Sequence, residues 1–374
     1  MGEVPGHRRG HYSVAKQLLG AFALTGIRGL ARHLSISIGT VSRALNGKAD
    51  VNPETRRRVL EAAAALGYSP NQSGRSLRNG KTNLIGVLIP TSREKTLLDF
   101  GFAEVLDGIR HVFEEQGLDL AVFLYAGGDD PFAHMRRIAE RRIADGLVIA
   151  DTLRTDPRIE YLLEKAIPFV AFGRSRSGGL HQWVDIDFPG AVTQAVDRLV
   201  NLGHRRIGVI LTNKDLHFLG LVRQAFKRVM TSSGLAFESE LIQRQRHGED
   251  SGYLGAQNLL SLPEPPTAIV TQNGNVAVGL YRRLNEAGLR PGVDVSVVSL
   301  IGDEQSQFLS PALTSFQTDL WGIGAQLGQA LFAEVRGRSD VQRSAPIQLL
   351  MPMTVSPGES DGPAPAMVAR RTKQ

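Results

Sequence analysis

Residues 35–47 read SISIGTVSRALNG, a short segment crowded with small hydroxyls, with a bare glycine and one arginine and no acidic residue. At helical spacing, Val41, Ala44 and Leu45 form an inward stripe and the polar residues are left on the opposite side. Thr40, Ser42 and Asn46 are compact donors able to reach phosphate oxygens, and the Arg43 guanidinium can address O6 and N7 of a guanine as a two-pronged fork. A bulky or acidic side chain in place of Gly39 would collide with a duplex or repel it. An ordinary surface helix accounts for the apolar stripe but not for the missing acids. The chemistry on offer is recognition of double-stranded DNA from the major groove.

Catalytic chemistry finds no comparable support. The 374 residues include no cysteine, which removes disulfides, zinc–thiolate sites and thiol nucleophiles and suits a reducing cytoplasm. Gly74 and Gly80-Lys81-Thr82 nearly spell a phosphate loop, but five residues separate the glycines where four are required, and the strand follows the loop instead of preceding it. GIGAQLG at 322–328 has the wrong glycine spacing for a dinucleotide loop and no preceding strand, and neither HExxH nor GxSxG occurs. The expectation is a protein that is not an enzyme and that needs neither cofactor nor metal. No apolar run approaches the roughly 18 residues that span a bilayer, and no cleavable apolar leader opens the chain, so a cytoplasmic protein without a membrane partner is expected.

Charge and periodicity locate the elements that must hold these groups. The net charge is +6, yet residues 1–80 alone carry +8 and the remainder −2, so the basic character belongs to the first fifth of the chain, as in a polyanion-binding segment attached to a neutral or acidic body. Residues 1–24 lack a convincing period and read as a disordered basic arm. Three short helices follow in a helix-turn-helix domain over 25–69: one on Ile27, Leu30, Ala31 and Leu34; one capped by Ser37 and ended by Asn46-Gly47; and one with Asn52 as cap, Pro53 at its first position and Gly67 as terminator. The second helix of such a unit lies in the major groove.

A polar, basic linker at 70–82 leads into alternating apolar strands and helices. Strands are expected at 84–90, 118–125, 146–150, 167–173, 206–211, 267–272 and 295–301, separated by helical patterns that end in glycine. Over residues 83–355 this predicts two doubly wound α/β subdomains with a small-molecule site in the cleft beyond the carboxyl ends of their strands. Residues 356–374 are rich in Pro and Gly and are expected to be a disordered tail, with no leucine heptads to support a coiled-coil tetramer.

From Ile27 to Pro90, through SISIGTVSRALNG and DVNPETRRRVLEAAAALGYSPNQSGRSLRNGKTNLIGVLIP, the chain closely resembles the LacI/GalR family of bacterial transcriptional regulators, and LGHRRIGVI at 202–210 resembles a second family signature. The resemblance implies a DNA-binding domain, a hinge helix and a periplasmic-binding-protein-like sensor that dimerises. It implies base reading by Ile38, Gly39 and Arg43, and phosphate contacts by Ser37, Thr40, Ser42, Asn46 and Thr55. It places the hinge helix at 71–78, including Asn71 and Gln72, with Leu77 wedging into the minor groove. Gly74 departs from the usual alanine, at a helix cost of about 1 kcal/mol.

The sensor departs further. The family's Arg-x-x-Gly-aromatic effector motif corresponds to VRQAF at 222–226, so Val222 takes the arginine position and Arg223 is one place along. Its paired aspartates correspond to Ile301-Gly302, with Asp303 one place late; Asn273 matches, while Gly274 replaces an aspartate. At strand ends, Asp151, Arg174, Asp185 and Asp303 are able to bind a polyol or merely to cap helices. Trp183, in HQWVDID, is able to stack on a sugar face or to serve as core or interface. These readings place the effector among Asn273, Asp303, Trp183, Asp151, Arg174 and Arg223.

The expected function is that of a sequence-specific DNA-binding regulator, a repressor that binds a pseudo-palindromic operator as a homodimer under the control of a small-molecule effector, a polar sugar or sugar derivative that is neutral or weakly anionic. The alternatives are a corepressor-dependent regulator similar to the family's purine repressor, and a solute-binding protein of a transporter. The missing leader and the basic first 80 residues weigh against the second.

Overall fold

The computed structural model describes residues 26–68, 81–91, 100–126, 130–245, 248–337 and 345–365. The arm at 1–24 and the hinge residues Asn71, Gln72, Gly74 and Leu77 lie outside them. The chain divides into two compact units, Met1–Thr82 and Asn83–Gln374.

The first unit contains α1 (Ile27–Leu34), α2 (Ile38–Leu45) and α3 (Pro53–Ala65). Local signals set their ends. Ser35 closes α1 in the left-handed conformation (φ 54°), the Ser37 hydroxyl accepts the Thr40 N–H at the start of α2, and the Asn52 carboxamide accepts the Glu54 N–H ahead of Pro53. Leu30, Val41 and Val59, one from each helix, are fully buried in a small common core.

The second unit holds two six-stranded sheets. β1 (Leu84–Thr91), α4 (Phe100–Glu115), β2 (Asp119–Ala126), α5 (Pro131–Glu140), β3 (Gly146–Ile149), α6 (Pro157–Glu164), β4 (Phe169–Phe172) and β5 (Trp183–Ile186) build the first lobe. The chain continues through α7 (Phe188–Asn201), β6 (Ile207–Thr212), α8 (His217–Ser232), β7 (Ile242–Gln245), α9 (Glu249–Leu260), β8 (Ala268–Thr271), α10 (Gly274–Glu286), β9 (Ser296–Ser299) and β10 (Thr314–Gln317). Last come α11 (Leu320–Gly337), β11 (Gln348–Met351), which returns to the first sheet, and β12 (Thr354–Ser356), which returns to the second. The strand orders are β11-β5-β4-β3-β1-β2 and β12-β10-β9-β8-β6-β7, parallel throughout except for the antiparallel β12. All seven strands expected from apolar runs are present. β5, β7, β10, β11 and β12 were not anticipated, because they are short and carry polar residues such as Asp185 and Arg244.

GIGAQLG lies in α11 directly after β10, so a strand does precede it, contrary to expectation, because β10 is short and polar; the glycines serve packing. A Cβ on Gly324 would fall 2.1 Å from the Val105 carbonyl oxygen, and one on Gly108 would fall 2.1 Å from that of Trp321, so two glycines let α4 and α11 touch backbone to backbone.

The tail expectation needs correction. β12 includes Ser356, and the residues up to 365 are held in place. Ser360, fully buried, accepts the Thr314 N–H at 2.8 Å and donates to the Val297 carbonyl at 2.7 Å; the buried Asp361 carboxylate binds Arg198. The Pro/Gly composition suggested disorder, but these glycines permit close approach: a Cβ on Gly358 would sit 2.4 Å from the Ala312 oxygen. The second unit thus continues past residue 355.

Candidate functional sites

In the first unit, α2 turns Val41 and Ala44 inward and presents Ile38, Gly39, Arg43 and Asn46 to solvent, with Thr40 and Ser42 half-buried between. Ser37 and Asn46 are partly engaged by the helix itself. The Ser37 hydroxyl lies 3.0 Å from the Thr40 amide and 2.9 Å from the Thr40 hydroxyl, and Asn46 Nδ2 donates to the Ser42 carbonyl at 2.7 Å. Arg43 lies 3.6 Å from Asp50, with both side chains more than half exposed, so water and salt weaken the pair and the guanidinium stays available. Ile38, 45% exposed, is an apolar surface of the kind that meets a thymine methyl. Gly39 is exposed, and a Cβ there would meet only Ser37 Oγ at 3.6 Å and Arg43 Nη1 at 4.0 Å, ordinary contacts. The fold of this unit therefore does not require glycine at that position. Thr55 is half-buried in the first turn of α3.

In the second unit, Asp151, Arg174, Asn273 and Asp303 lie just after β3, β4, β8 and β9, Trp183 opens β5, which also carries Asp185, and Arg223 lies on α8. Asn273 caps α10, its side chain accepting the Val276 N–H at 3.1 Å. Asp303 caps the turn at 304–308 and accepts both the amide and the hydroxyl of Ser306 at 2.7 and 2.6 Å. The two neighbourhoods meet at Gly274, where a Cβ would come 2.9 Å from Asp303 Oδ2 and 2.5 Å from Ser306 Oγ. The shifted aspartate thus occupies space that a side chain at 274 would need.

Trp183 packs half-buried against the hydrophobic cluster of Met135, Ile138 and Phe169, and Arg174 covers its ring at 5.8 Å. Its observed stacking partner is thus an arginine. Arg174 is in turn held by the nearly buried Asp185 at 2.6 Å, which leaves Arg174 Nη2 buried without a partner. Asp151, in the left-handed region at φ 52°, faces Lys214 at 3.3 Å. Val222 is fully buried, whereas Arg223 is exposed on α8.

A cavity of about 150 Å³ opens among Arg154, Arg176, Lys214, His217, Arg223 and Arg244, floored by Leu211 and Leu219. Of the six expected effector residues, Arg223 lines it. The other five are held by the caps, ion pairs and packing just described. The sequence reading missed Arg154, Arg176, Lys214 and Arg244 because they are scattered along the chain; their common feature, a place at or just beyond the carboxyl end of β3, β4, β6 or β7, was available as a signal. Burial holds the His217 pKa below the ordinary histidine value, and Arg176, Arg174 and Arg154 lower it further while Asp185 opposes them.

Among the described residues, no helix is long and apolar enough to cross a membrane. A family model described as "Bacterial regulatory proteins, lacI family" matches residues 27–71, and one described as "Periplasmic binding protein-like domain" matches residues 196–360. The chain is 34% identical over 345 residues to the HTH-type transcriptional regulator AglR of Rhizobium meliloti (strain 1021), covering 91% of this chain and 95% of the relative. Its fold matches the lac repressor dimer bound to operator and the anti-inducer ONPF with a TM-score of 0.77 at 22% identity, over 89% of this chain and 98% of that one. It also matches a complex of the transcriptional regulator CelR with cellobiose with a TM-score of 0.67 at 24% identity, over 89% and 99% of the two chains.

Proposed function

The chain belongs to the lacI family of bacterial regulatory proteins, and from that premise we propose that it is a cytoplasmic repressor that binds a pseudo-palindromic operator as a homodimer and answers to a sugar or sugar derivative held between the lobes of its sensor. It is a transcriptional regulator and not an enzyme, in keeping with its relatives. The observation that carries the operator reading is the exposed face of α2, acid-free and open at Gly39 in a position where packing asks for no glycine. Arg43 reads a guanine edge there, Ile38 supplies apolar contact, and Thr40, Ser42 and Thr55 with the capping residues Ser37 and Asn46 fix the register on the backbone.

A dimer follows from the energetics of recognition. One such helix offers only a few specific contacts of about 1–3 kcal/mol each, and two copies on a symmetric site double the discrimination. The sugar assignment is supported by the two-lobed sensor and by its likeness to a regulator solved with cellobiose. The solute-binding alternative fails on the lacI-family match at residues 27–71. Footprinting on DNA selected from random sequence tests the reading: protection of two inverted half-sites by a dimer is expected, and a single asymmetric half-site held by a monomer would overturn it. Adding sugars to the same complexes separates a repressor that is released from one that needs a corepressor.

A further inference from the structure

The cavity between the lobes carries an unusual balance of charge. Its lining includes Arg154, Arg176, Lys214, Arg223 and Arg244 against one carboxylate, Asp215. This concentration occurs in the stretch after residue 80, whose overall charge is −2, so it does not follow from composition. Lys214 has a partner in Asp151, but among the described residues Arg154, Arg176, Arg223 and Arg244 form no ion pair with a carboxylate. Two of these arginines stand on the first lobe and two on the second, so one small molecule between the lobes would meet both sets.

The backbone adds to the same field. Helix α8, 16 residues long, begins at the cavity, and its cap residue Leu216 offers no side-chain acceptor to the first amides. The helices α5, α6, α7 and α10 are each capped by an Asp or Asn side chain. Like α9, whose cap residue is Gly248, α8 has no carboxylate or carboxamide cap at its positive end, and the carboxylate nearest in sequence, Asp215, precedes the cap residue and also lines the cavity. His217, in the first turn of that helix, lines the same cavity.

Four guanidinium groups without a carboxylate partner around one cavity repel one another, and an anion there would offset that repulsion; all four side chains are exposed, so salt screens the gain, and the Arg244 guanidinium also donates to the Asn213 and Lys214 carbonyls at 3.3 Å. We propose that the effector of this regulator is an anionic hydroxylated molecule, a sugar acid or sugar phosphate, whose carboxylate or phosphate is clamped by Arg154 and Arg176 from one lobe and by Arg223 and Arg244 from the other. The inference rests on the reading of this cleft as the effector site and narrows its ligand from sugars in general to charged ones. Arginine suits the task, since its planar fork matches both oxyanions in two-pronged geometry.

The test uses the full chain, with calorimetric titration and thermal unfolding against matched panels: glucose and galactose, their uronates and their 6-phosphates. At low salt at least one anion is expected to bind ten or more times tighter than its neutral parent, with the advantage shrinking as salt rises. Preference for uronates identifies a carboxylate ligand, and preference for 6-phosphates a phosphate ligand; either supports the proposal. R154Q and R244Q, on opposite lobes and both at exposed positions, should each weaken the favoured anion at least fivefold. Neutral sugars that bind as tightly as every anion, an anion advantage untouched by both substitutions, or no stabilisation by any anion in the panel would overturn it. Operator binding measured on the same samples keeps the two readings apart. A chain that binds its operator and releases it with a neutral sugar sinks the anionic ligand alone, and a chain that binds no DNA sinks the regulator reading alone.

Discussion

Substitution of Gly39 should move fold stability and DNA affinity in opposite directions. In Gly39→Ala the new methyl meets only Ser37 Oγ at 3.6 Å and Arg43 Nη1 at 4.0 Å, so no clash opposes the helix preference of alanine over glycine, about 0.5–1 kcal/mol. In Gly39→Glu a carboxylate enters the first turn of α2, which has no acidic residue, and its interaction with the helix dipole adds about 0.3–1 kcal/mol. The variants should therefore unfold at higher urea concentration by an amount corresponding to about 0.5–2 kcal/mol. In the proposed complex the same groups would meet the duplex. The glutamate adds like charge beside phosphates and bulk in the groove, and operator affinity by fluorescence anisotropy should fall at least tenfold, a loss of about 1.4 kcal/mol or more. Gly39→Gln separates bulk from charge, because whatever affinity it recovers relative to glutamate is electrostatic and should grow at low salt. Unchanged operator affinity in the glutamate variant would remove Gly39 from the interface, and lower stability in the alanine variant would show that the packing argument is wrong.

Further expectations concern other links of the same chain. Arg43→Ala should lower the preference for operator over random DNA by about 1–3 kcal/mol per half-site, whereas Thr55→Ala should weaken both DNAs alike; competition binding that showed equal losses for both variants would remove Arg43 from base reading. Gly324→Ala places a Cβ 2.1 Å from the Val105 oxygen and should destabilise the sensor by about 1–3 kcal/mol or more in denaturant unfolding, with little effect on a separate unfolding step of the DNA-binding unit. His204 is fully buried, within 2.8 Å of Thr267 Oγ1 and 3.0 Å of the Gly362 carbonyl, and burial lowers its pKa below that of a free histidine. The folded state then binds fewer protons than the unfolded one below the ordinary histidine value, so stability should be full above that value and decline as pH falls through it. The slope is at most about 1.4 kcal/mol per pH unit for this group. Burial depresses His181 and His217 in the same sense, so H204Q should flatten the urea midpoint between pH 7.5 and 5.5 only in part.

What was legible in the sequence was what neighbours in the chain decide. Ser37, Asn52 and Pro53 announce helix starts through atoms two or three residues away, and runs such as LIGVLIP announce buried strands without knowing their partners. What escaped depends on distant residues. Ser360 and Asp361 look like loop polars until Thr314, Val297 and Arg198 are brought to them. Trp183 looked available for a sugar because nothing nearby in sequence reveals the cluster beneath its ring or Arg174 above it. The shift of the aspartate from 302 to 303 looked like a lost site, yet Asp303 lies beside Gly274, and the two departures fit each other in space. The cationic cavity escaped for a related reason, since its arginines come from two loops, a helix and a strand that are far apart in the chain.

Those loops also connect binding to movement. The first and second lobes touch at the cleft through the Asp151–Lys214 pair at 3.3 Å, through the His217 amide donating to the Thr152 carbonyl at 2.9 Å, and through a bridge between Leu153 and Leu216. A partly exposed ion pair contributes up to about 1 kcal/mol and a backbone hydrogen bond about 0.5–1.5 kcal/mol, so this contact biases the lobes by only a few kcal/mol. That is the scale of typical coupling between two sites, about 1–3 kcal/mol. Lys214 belongs both to this contact and to the cavity wall. A ligand that draws its ammonium group away from Asp151 loosens one of the lobes' ties while making another between the arginines, and the difference between the two is what shifts the lobe equilibrium. Because coupling is reciprocal, whatever factor the ligand imposes on operator affinity is the factor by which operator changes the ligand's own affinity. In the proposed regulator, the small size of this cleft contact leaves a small molecule enough free energy to shift it.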